Sequence, residues 1–302
     1  MTPVLEFRNV SRSFQKGVPV LDDVSFSMAE GEVVGLLGRN GAGKTTLIHI
    51  AMGLLSTHGG AVRVFGVSPF DDPVAVKRRV GFVSEEQVLP PRSTIAELIA
   101  FHRYLFARWD DALERQLLDR FALSPSSRIH RLSKGQARQA ALLCAVCHRP
   151  ELLLLDEPAG GLDPVARREF LETSIQLLNR EGTAILFSSH QMGDVERIGG
   201  RIVLLNEGKV RIDRDLDRIR EDVCVAMIPR ASVPDAARFE SLPGCLRVRA
   251  VFDDWHVVVE GDPDAVRGRL TALSPANNIR CVRVPLEELF IELVGGERER
   301  TP

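Results

Sequence analysis

Long hydrophobic runs are missing from this sequence of 302 residues. It contains no stretch of about 18 consecutive apolar residues, so it predicts no membrane-spanning helix. Residues 1–10 lack the apolar core and cleavage site of a secretory signal, which predicts a cytoplasmic location. If the protein acts at a membrane, we expect a separate chain to do the spanning.

Net charge is also nearly absent, at −2. Arginines outnumber lysines by 34 to 5, but they are scattered along the chain and form no basic block. No strong electric field therefore draws the protein toward nucleic acid or anionic lipid. We expect no nucleic-acid partner.

Cysteines are few, and their number, five, is odd. Together with the missing signal sequence, this predicts reduced thiols. Cys144, Cys147 and His148 match the C-x-x-C-H pattern of c-type haem attachment. They lie in an apolar stretch that predicts a buried helix, and haem attachment of this kind requires export. We therefore predict small buried side chains and no haem.

A glycine-rich segment is the most informative feature that is present. It fits G-x-x-x-x-G-K-[ST], in which glycines let successive backbone N–H groups point into one concavity. The lysine brings positive charge to phosphates, and the hydroxyl after it can ligate Mg²⁺. A buried strand is predicted before the segment and a helix after it, with the helix N-terminus facing the phosphates. The predicted phosphate site comprises Gly38, Arg39, Asn40, Gly41, Ala42, Gly43, Lys44, Thr45 and Thr46.

A second buried strand is predicted at the apolar run 152–155, which ends in Asp156 and Glu157. Ligands of open α/β sheets bind at the carboxyl ends of such strands. Asp156 is placed to anchor Mg²⁺ together with Thr45. Glu157 is placed to orient and deprotonate an attacking water.

Two further residues each allow two interpretations. His190 follows a third buried strand, where it either makes a structural hydrogen bond or contacts a γ-phosphate. Phe14 lies in a polar segment, residues 11–17, predicted as a loop. There its ring either stacks on a nucleobase or anchors the loop in the core.

The pattern of the chain predicts two domains, at residues 1–220 and 223–302. A helical subdomain at about 88–150 interrupts the strands of the first domain. A hairpin at 201–210 and a charged helix at 213–220 are predicted to end it. The second domain is predicted to be a small α+β module without a catalytic constellation. It serves either as a structural or dimer-stabilising element or as a ligand-sensing regulator of the first domain.

The segment LSKGQ at residues 132–136 resembles the L-S-G-G-Q signature of the ATP-binding cassette (ABC) family. The resemblance covers residues 1 to about 220, with the P-loop, the acidic strand end and His190 in the order found in the family. It implies an α/β P-loop ABC ATPase core, namely a mixed sheet with an antiparallel β subdomain and an inserted helical subdomain. It also implies ATP and Mg²⁺ as ligands.

The resemblance implies a role for each matching residue. Lys44, Glu157 and His190 are expected to be catalytic, and Phe14 falls where the family has an adenine-stacking aromatic. Glu85 falls at the position of a glutamine near Mg²⁺, so it joins Thr45 and Asp156 as a predicted metal ligand. The signature residues expected to contact nucleotide are Ser133, Gly135 and Gln136, whereas Lys134 replaces the first of the two signature glycines.

The resemblance further implies partners. Two copies are expected to form a homodimer around two ATP molecules, each copy offering its signature to the nucleotide of the other. The helical subdomain and the Glu85 loop are expected to contact a separate transmembrane permease of export type, which would hold the protein at the inner face of the membrane. The alternative is a non-transport ABC ATPase that acts on the ribosome or nucleic acid. Against it stand the single cassette, the near-neutral charge and the lack of a heptad run.

Overall fold

The computed structural model describes residues 2–15, 17–86, 88–163, 167–168, 170–172, 182–198, 200–233, 235–273 and 278–295. The chain divides into two compact units, Met1–Asp213 and Arg214–Pro302. Among the helices of these described ranges, none combines the length and the apolar character that crossing a bilayer requires.

The first unit contains alternating strands and helices. Its strands are β1 (Leu5–Gln15), β2 (Val18–Met28), β3 (Val33–Leu37), β4 (Gly59–Val64), β5 (Val80–Val83), β6 (Leu152–Leu155), β7 (Ala184–Ser189), β8 (Arg201–Asn206) and β9 (Lys209–Asp215). Its helices are α1 (Lys44–Ala51), α2 (Pro73–Arg79), α3 (Ile95–Leu105), α4 (Asp111–Arg120), α5 (Lys134–Val146) and α6 (Met192–Ile198).

A six-stranded sheet in the order β5-β6-β7-β3-β8-β9 forms the centre of this unit. From β5 to β8, neighbouring strands are parallel. Every residue of β6 and β7 is buried, as expected for strands covered on both faces. Because β3, β6 and β7 are parallel, their carboxyl ends meet at one edge of the sheet, and the predicted site residues follow those ends.

A second sheet, in the order β2-β1-β4, is antiparallel. This confirms the antiparallel β subdomain. The prediction of a loop at residues 11–17 is wrong, because β1 extends to Gln15 and pairs there with Val18 of β2. Ladder hydrogen bonds are made by the backbone, so polar side chains do not end a strand that has a partner. Gly17 turns the chain with φ +85°, and Lys16 lies outside the described residues.

The helices α3, α4 and α5 lie between β5 and β6 in sequence, as predicted for the helical subdomain. Thr94 caps α3 and Ser133 caps α5, each through a reciprocal pair of hydrogen bonds with the residue three positions later. Cys144 and Cys147 are buried free thiols at the end of α5. Burial raises the pKa of Cys144 to about 12, so this thiol stays protonated.

The second unit is built on a four-stranded antiparallel sheet in the order β11-β12-β10-β13. The charged helix predicted at 213–220 instead begins at Leu216, because residues up to Asp215 continue β9. The strands are β10 (Val223–Pro229), β11 (Cys245–Val251), β12 (Asp254–Glu260) and β13 (Arg280–Val282), and the helices are α7 (Leu216–Asp222), α8 (Ala237–Glu240), α9 (Pro263–Leu273) and α10 (Leu286–Val294).

Candidate functional site

The glycine-rich segment connects β3 to α1 and requires glycine for two different reasons. Gly41 and Gly43 have φ values of +82° and +105°, in a region that residues with a Cβ atom rarely adopt. A Cβ on Gly38 would lie 2.4 Å from the carbonyl oxygen of Leu205. The loop therefore depends on glycine for its conformation and for its close approach to β8.

This loop forms one wall of a pocket of about 450 Å³. Phe14 lines the same pocket from the end of β1, and its side chain is 57 % exposed. That exposure excludes the interpretation of Phe14 as a core anchor. Glu85, which is exposed, also lines the pocket. The lining residues are Phe14, Val20, Asn40, Gly41, Gly43, Lys44, Thr45, Thr46, Glu85 and Glu157.

The ammonium group of Lys44 is buried at the base of this pocket. Its Nζ donates hydrogen bonds to the carbonyl oxygens of Gly38, at 2.7 Å, and Arg39, at 3.3 Å. It also lies 3.0 Å from Glu157 Oε1, an ion-pair contact that lacks the geometry of a hydrogen bond. A phosphate oxygen entering the pocket would compete with Glu157 for this charge.

The two acids at the end of β6 are connected by one serine. Ser188 Oγ donates to Asp156 Oδ1 at 2.8 Å and accepts a hydrogen bond from the Glu157 N–H at 2.7 Å. Thr45 Oγ1 donates to the same oxygen of Asp156 at 3.2 Å. The second oxygen, Asp156 Oδ2, is buried without a hydrogen-bond partner in the described structure. A hydroxyl and a carboxylate oxygen are ligands that Mg²⁺ favours, so these residues fit the ion.

His190 and Glu157 meet at the carboxyl edge of the sheet. His190 Nδ1 lies 2.8 Å from Glu157 Oε2, and the imidazole is 38 % exposed. Glu157 itself has φ +43°, an uncommon conformation for a residue with a Cβ atom. The histidine therefore makes a hydrogen bond to the proposed base, which is compatible with either interpretation offered for it.

The signature residues lie elsewhere, at the start of α5. Ser133 Oγ accepts from the Gln136 N–H at 3.2 Å, while Gln136 Oε1 accepts from the Ser133 N–H at 3.0 Å. Neither they nor Gly135 line the pocket of the described chain. Lys134 is exposed at the first position of α5 and is not among the residues with positive φ. Its replacement of glycine therefore introduces no backbone strain.

Two residues of this region were not predicted. Ser188 precedes the end of β7, and the parallel order of β6 and β7 would have placed it beside Asp156 had that order been known. Arg138, on α5, donates hydrogen bonds to the carbonyl oxygens of Glu157 and Glu85. Nothing in the sequence distinguishes it from the other scattered arginines.

Comparison with known proteins identifies the family. The ABC transporter family matches residues 21–160 of this chain. The chain is 30 % identical to the ABC transporter ATP-binding protein YtrB of Bacillus subtilis over 298 residues, which are 98 % of this chain and 99 % of that protein. The chain belongs to the ABC transporter ATP-binding proteins.

Other relatives agree with this assignment. The Nod factor export ATP-binding protein I of Rhizobium leguminosarum is 32 % identical over 310 residues, covering 99 % of this chain and 98 % of that protein. A solved structure described as the ATP-binding subunit of an ABC transporter is 32 % identical, with a TM-score of 0.65 over 72 % of this chain and 92 % of that one. The predicted ABC ATPase fold is therefore confirmed. As an ABC ATPase, the protein uses ATP with Mg²⁺ as its partner ion.

Proposed function

We propose that this protein is the ATP-hydrolysing subunit of an ABC exporter and that it dimerises around two ATP molecules to drive a separate transmembrane permease. Four residues give the best support: Lys44, Thr45 and Glu157 line one pocket, and Asp156 accepts a hydrogen bond from Thr45 beside it. Two of them come from the glycine-rich loop and two from the end of a strand 111 positions away. Such an arrangement is suited to transferring a phosphoryl group.

Binding of the nucleotide depends on the glycine-rich loop and on Phe14. The loop directs backbone N–H groups and the N-terminus of α1 at the phosphates. The exposed Phe14 ring offers an apolar face to the base. Residues 38–46 form the phosphate cradle in this proposal.

Hydrolysis depends on the acids. Thr45 and Asp156 would hold Mg²⁺, with the Glu85 carboxylate beside them, and the ion would supply positive charge to the phosphate oxygens. Glu157 polarises and deprotonates the attacking water. Lys44 neutralises charge on the phosphates, and His190 holds the Glu157 carboxylate and stabilises the transferred group.

A second copy of the chain completes the site in this proposal. Ser133, Gly135 and Gln136 lie at the start of α5 and not in the pocket of their own chain, so they are free to contact nucleotide held by a partner. Two such contacts are related by a twofold axis in an isologous dimer. Hydrolysis removes the bridging γ-phosphate and lets the two copies separate.

An apolar patch on α3 marks the surface that we assign to the permease. Phe101, Tyr104 and Leu105 are 60 %, 88 % and 52 % exposed. Contiguous exposed apolar side chains of this kind indicate a protein interface. The contact would hold the protein at the cytoplasmic face of the membrane. Export is the favoured direction because several relatives are named for Nod factor export.

The test is the Glu157→Gln variant with saturating Mg-ATP. We expect hydrolysis to stop and ATP-bound dimers to accumulate, measured by phosphate release and by small-angle scattering. Wild-type hydrolysis would remove Glu157 from the mechanism, and a variant that stays monomeric would refute the ATP-bound dimer. Purification of the trapped variant from membranes should yield a multispanning permease, whereas recovery with ribosomes or nucleic acid would favour the alternative function.

A further inference from the structure

One arginine contacts the backbone of two loops that border the pocket. Arg138 lies on α5, and its half-buried guanidinium donates through Nη1 to the carbonyl oxygens of Glu157, at 3.1 Å, and Pro158, at 2.9 Å. Its Nη2 donates to the carbonyl oxygen of Glu85 at 3.0 Å. A guanidinium presents its donors in a rigid planar fork, so it fixes these carbonyls relative to one another.

The backbone of Glu157 needs such support. Its φ of +43° lies in the left-handed region, which is unfavourable for a residue with a Cβ atom. Conformations of this kind persist at functional sites only where the surrounding structure enforces them. Three hydrogen bonds hold this backbone: Ser188 Oγ accepts from the Glu157 N–H at 2.7 Å, and the Glu157 carbonyl oxygen accepts from Arg138 at 3.1 Å and from the Gly160 N–H at 3.0 Å. Of the two donors to the carbonyl oxygen, Arg138 is the one supplied by a side chain of another element.

The direction of the Glu157 carboxylate follows from this backbone conformation. Turning the residue back to ordinary φ would move its Cβ, and with it the oxygens that lie next to Lys44 and His190. A neighbouring arginine does not duplicate the support, since Arg167 donates to the carbonyl oxygen of Ala159, beyond the two carbonyls that Arg138 holds.

We propose that Arg138 is a positioning residue for Glu157, which it holds in the left-handed conformation that directs the carboxylate into the pocket. Arg138 does not line the pocket, so its effect on the reaction passes through the backbone of Glu157. This inference rests on the proposed role of Glu157 as the base of the reaction.

The first test compares Arg138→Gln and Arg138→Lys with the wild type. Misplacement of a reacting group by about 1 Å costs up to about 100-fold in rate, so we expect kcat for ATP hydrolysis to fall about 10- to 100-fold in Arg138→Gln. The KM for ATP should stay within about twofold, because the glycine-rich loop is unchanged. Arg138→Lys keeps the positive charge but loses the planar set of donors, so its kcat should lie between those of the wild type and Arg138→Gln.

The matched control is Arg149→Gln. Arg149 follows α5 at its other end and pairs with Asp110 at 2.6 Å, away from the pocket. Its loss removes one arginine and one exposed ion pair without touching Glu157. We expect wild-type kcat for this variant, and melting temperatures of all variants establish that the folded proteins are being compared.

The decisive test is the double variant Arg138→Gln with Glu157→Gln, measured by single-turnover hydrolysis. If Arg138 acts through Glu157, the double variant should hydrolyse ATP as slowly as Glu157→Gln alone, within about twofold. A further 10-fold loss in the double variant would overturn the inference. Wild-type kcat in folded Arg138→Lys, or in folded Arg138→Gln, would overturn it too. If Glu157→Gln itself hydrolyses ATP normally, the proposed function fails instead, so the two failures are distinguishable.

Discussion

Each unit of the molecule contains a glutamate that faces one cation and one histidine, yet the two sites differ in chemistry. The closest contacts are 3.0 and 2.8 Å for Glu157, and 2.7 and 3.0 Å for Glu292. Both carboxylates are largely buried. The partners are Lys44 and His190 for Glu157, and Arg249 and His256 for Glu292.

The difference lies in how completely each charge is satisfied. Both oxygens of Glu292 accept hydrogen bonds from the 3 % exposed Arg249, at 2.7 and 2.9 Å. Burial by itself would raise the pKa of Glu292, but His256 and Arg249 outweigh it and lower the pKa to about 2. Glu157 instead lines an open pocket and has a positive φ, and among the described residues its Oε1 contacts Lys44 as an ion pair but accepts no hydrogen bond. The first site can therefore exchange partners with a ligand, whereas the second locks α10 to its sheet.

The largest expected effect is on the rate of ATP hydrolysis, which should depend on Glu157 and not on Glu292. Removal of a general base costs about 100- to 10,000-fold, so Glu157→Gln should lower kcat by that factor. Glu292→Gln should leave kcat unchanged, because Glu292 belongs to the other unit. Phosphate release under saturating Mg-ATP measures both. Equal losses in the two variants would contradict the distinction between a reactive and a structural carboxylate.

The next largest effect is on the stability of the second unit, which should depend on Glu292. Glu292→Gln removes the carboxylate that accepts two hydrogen bonds from the buried Arg249, which should lower the free energy of unfolding of the second unit by about 3 kcal/mol. Urea denaturation monitored by tryptophan fluorescence reports this unit through Trp255 when the comparison is made in a Trp109→Phe background, because Trp109 lies in the first unit. The control is Glu288→Gln on the same helix, whose side chain is exposed, and it should change stability by less than about 0.5 kcal/mol. A comparable loss in the control would show that α10 tolerates no change of charge.

Acid should affect the two units at different pH. Burial lowers the pKa of His148 in the first unit to about 4, below its ordinary value of about 6.5. The folded state thus favours neutral His148. The contribution of this residue to the free energy of unfolding is fully present above pH 6.5 and is lost as the pH falls toward 4. The loss at pH 5 should be about 2 kcal/mol. Glu292 has a lowered pKa, so its contribution to the free energy of unfolding of the second unit remains until the pH falls below about 4.5.

Urea titrations at pH 7 and pH 5 check this difference. The first unit should lose stability over this interval, and a His148→Leu variant should lose less. The second unit should keep the contribution of Glu292. An equal pH dependence in the variant and the wild type would show that His148 is not the titrating group.

The smallest expected effect concerns stacking of the nucleobase of ATP on Phe14. Phe14→Ala should weaken ATP binding about 10-fold, because stacking of a base on an aromatic ring contributes about 1–3 kcal/mol. Phe14→Tyr should bind like the wild type, since it keeps the ring. Calorimetry with ATP and with inorganic tripolyphosphate makes the comparison. A similar loss of affinity for ATP and for tripolyphosphate would show that Phe14 stabilises the glycine-rich loop and does not stack on the nucleobase.

The local features of the fold were predictable, because each depends on neighbouring residues. The spacing of Gly38, Gly41 and Gly43 predicted the phosphate loop, and the apolar run before Asp156 predicted a buried strand. The prediction failed for residues 11–17, where a polar segment pairs with β2. Backbone pairing compensates there for the lack of apolar side chains, and no pattern in residues 11–17 reveals that a partner strand is available.

The sequence by itself predicted the residues that bind phosphate and Mg²⁺, and it determined which segments are strands of the sheet and which are the inserted helices. The tertiary structure decided that Lys44 meets Glu157, that Ser188 joins the two acids, and that Arg138 reaches across from α5. The physical reason is the range of the interactions. Propensity and hydrophobic period act over a few residues, whereas these contacts depend on strand order and helix packing, which the whole chain fixes cooperatively.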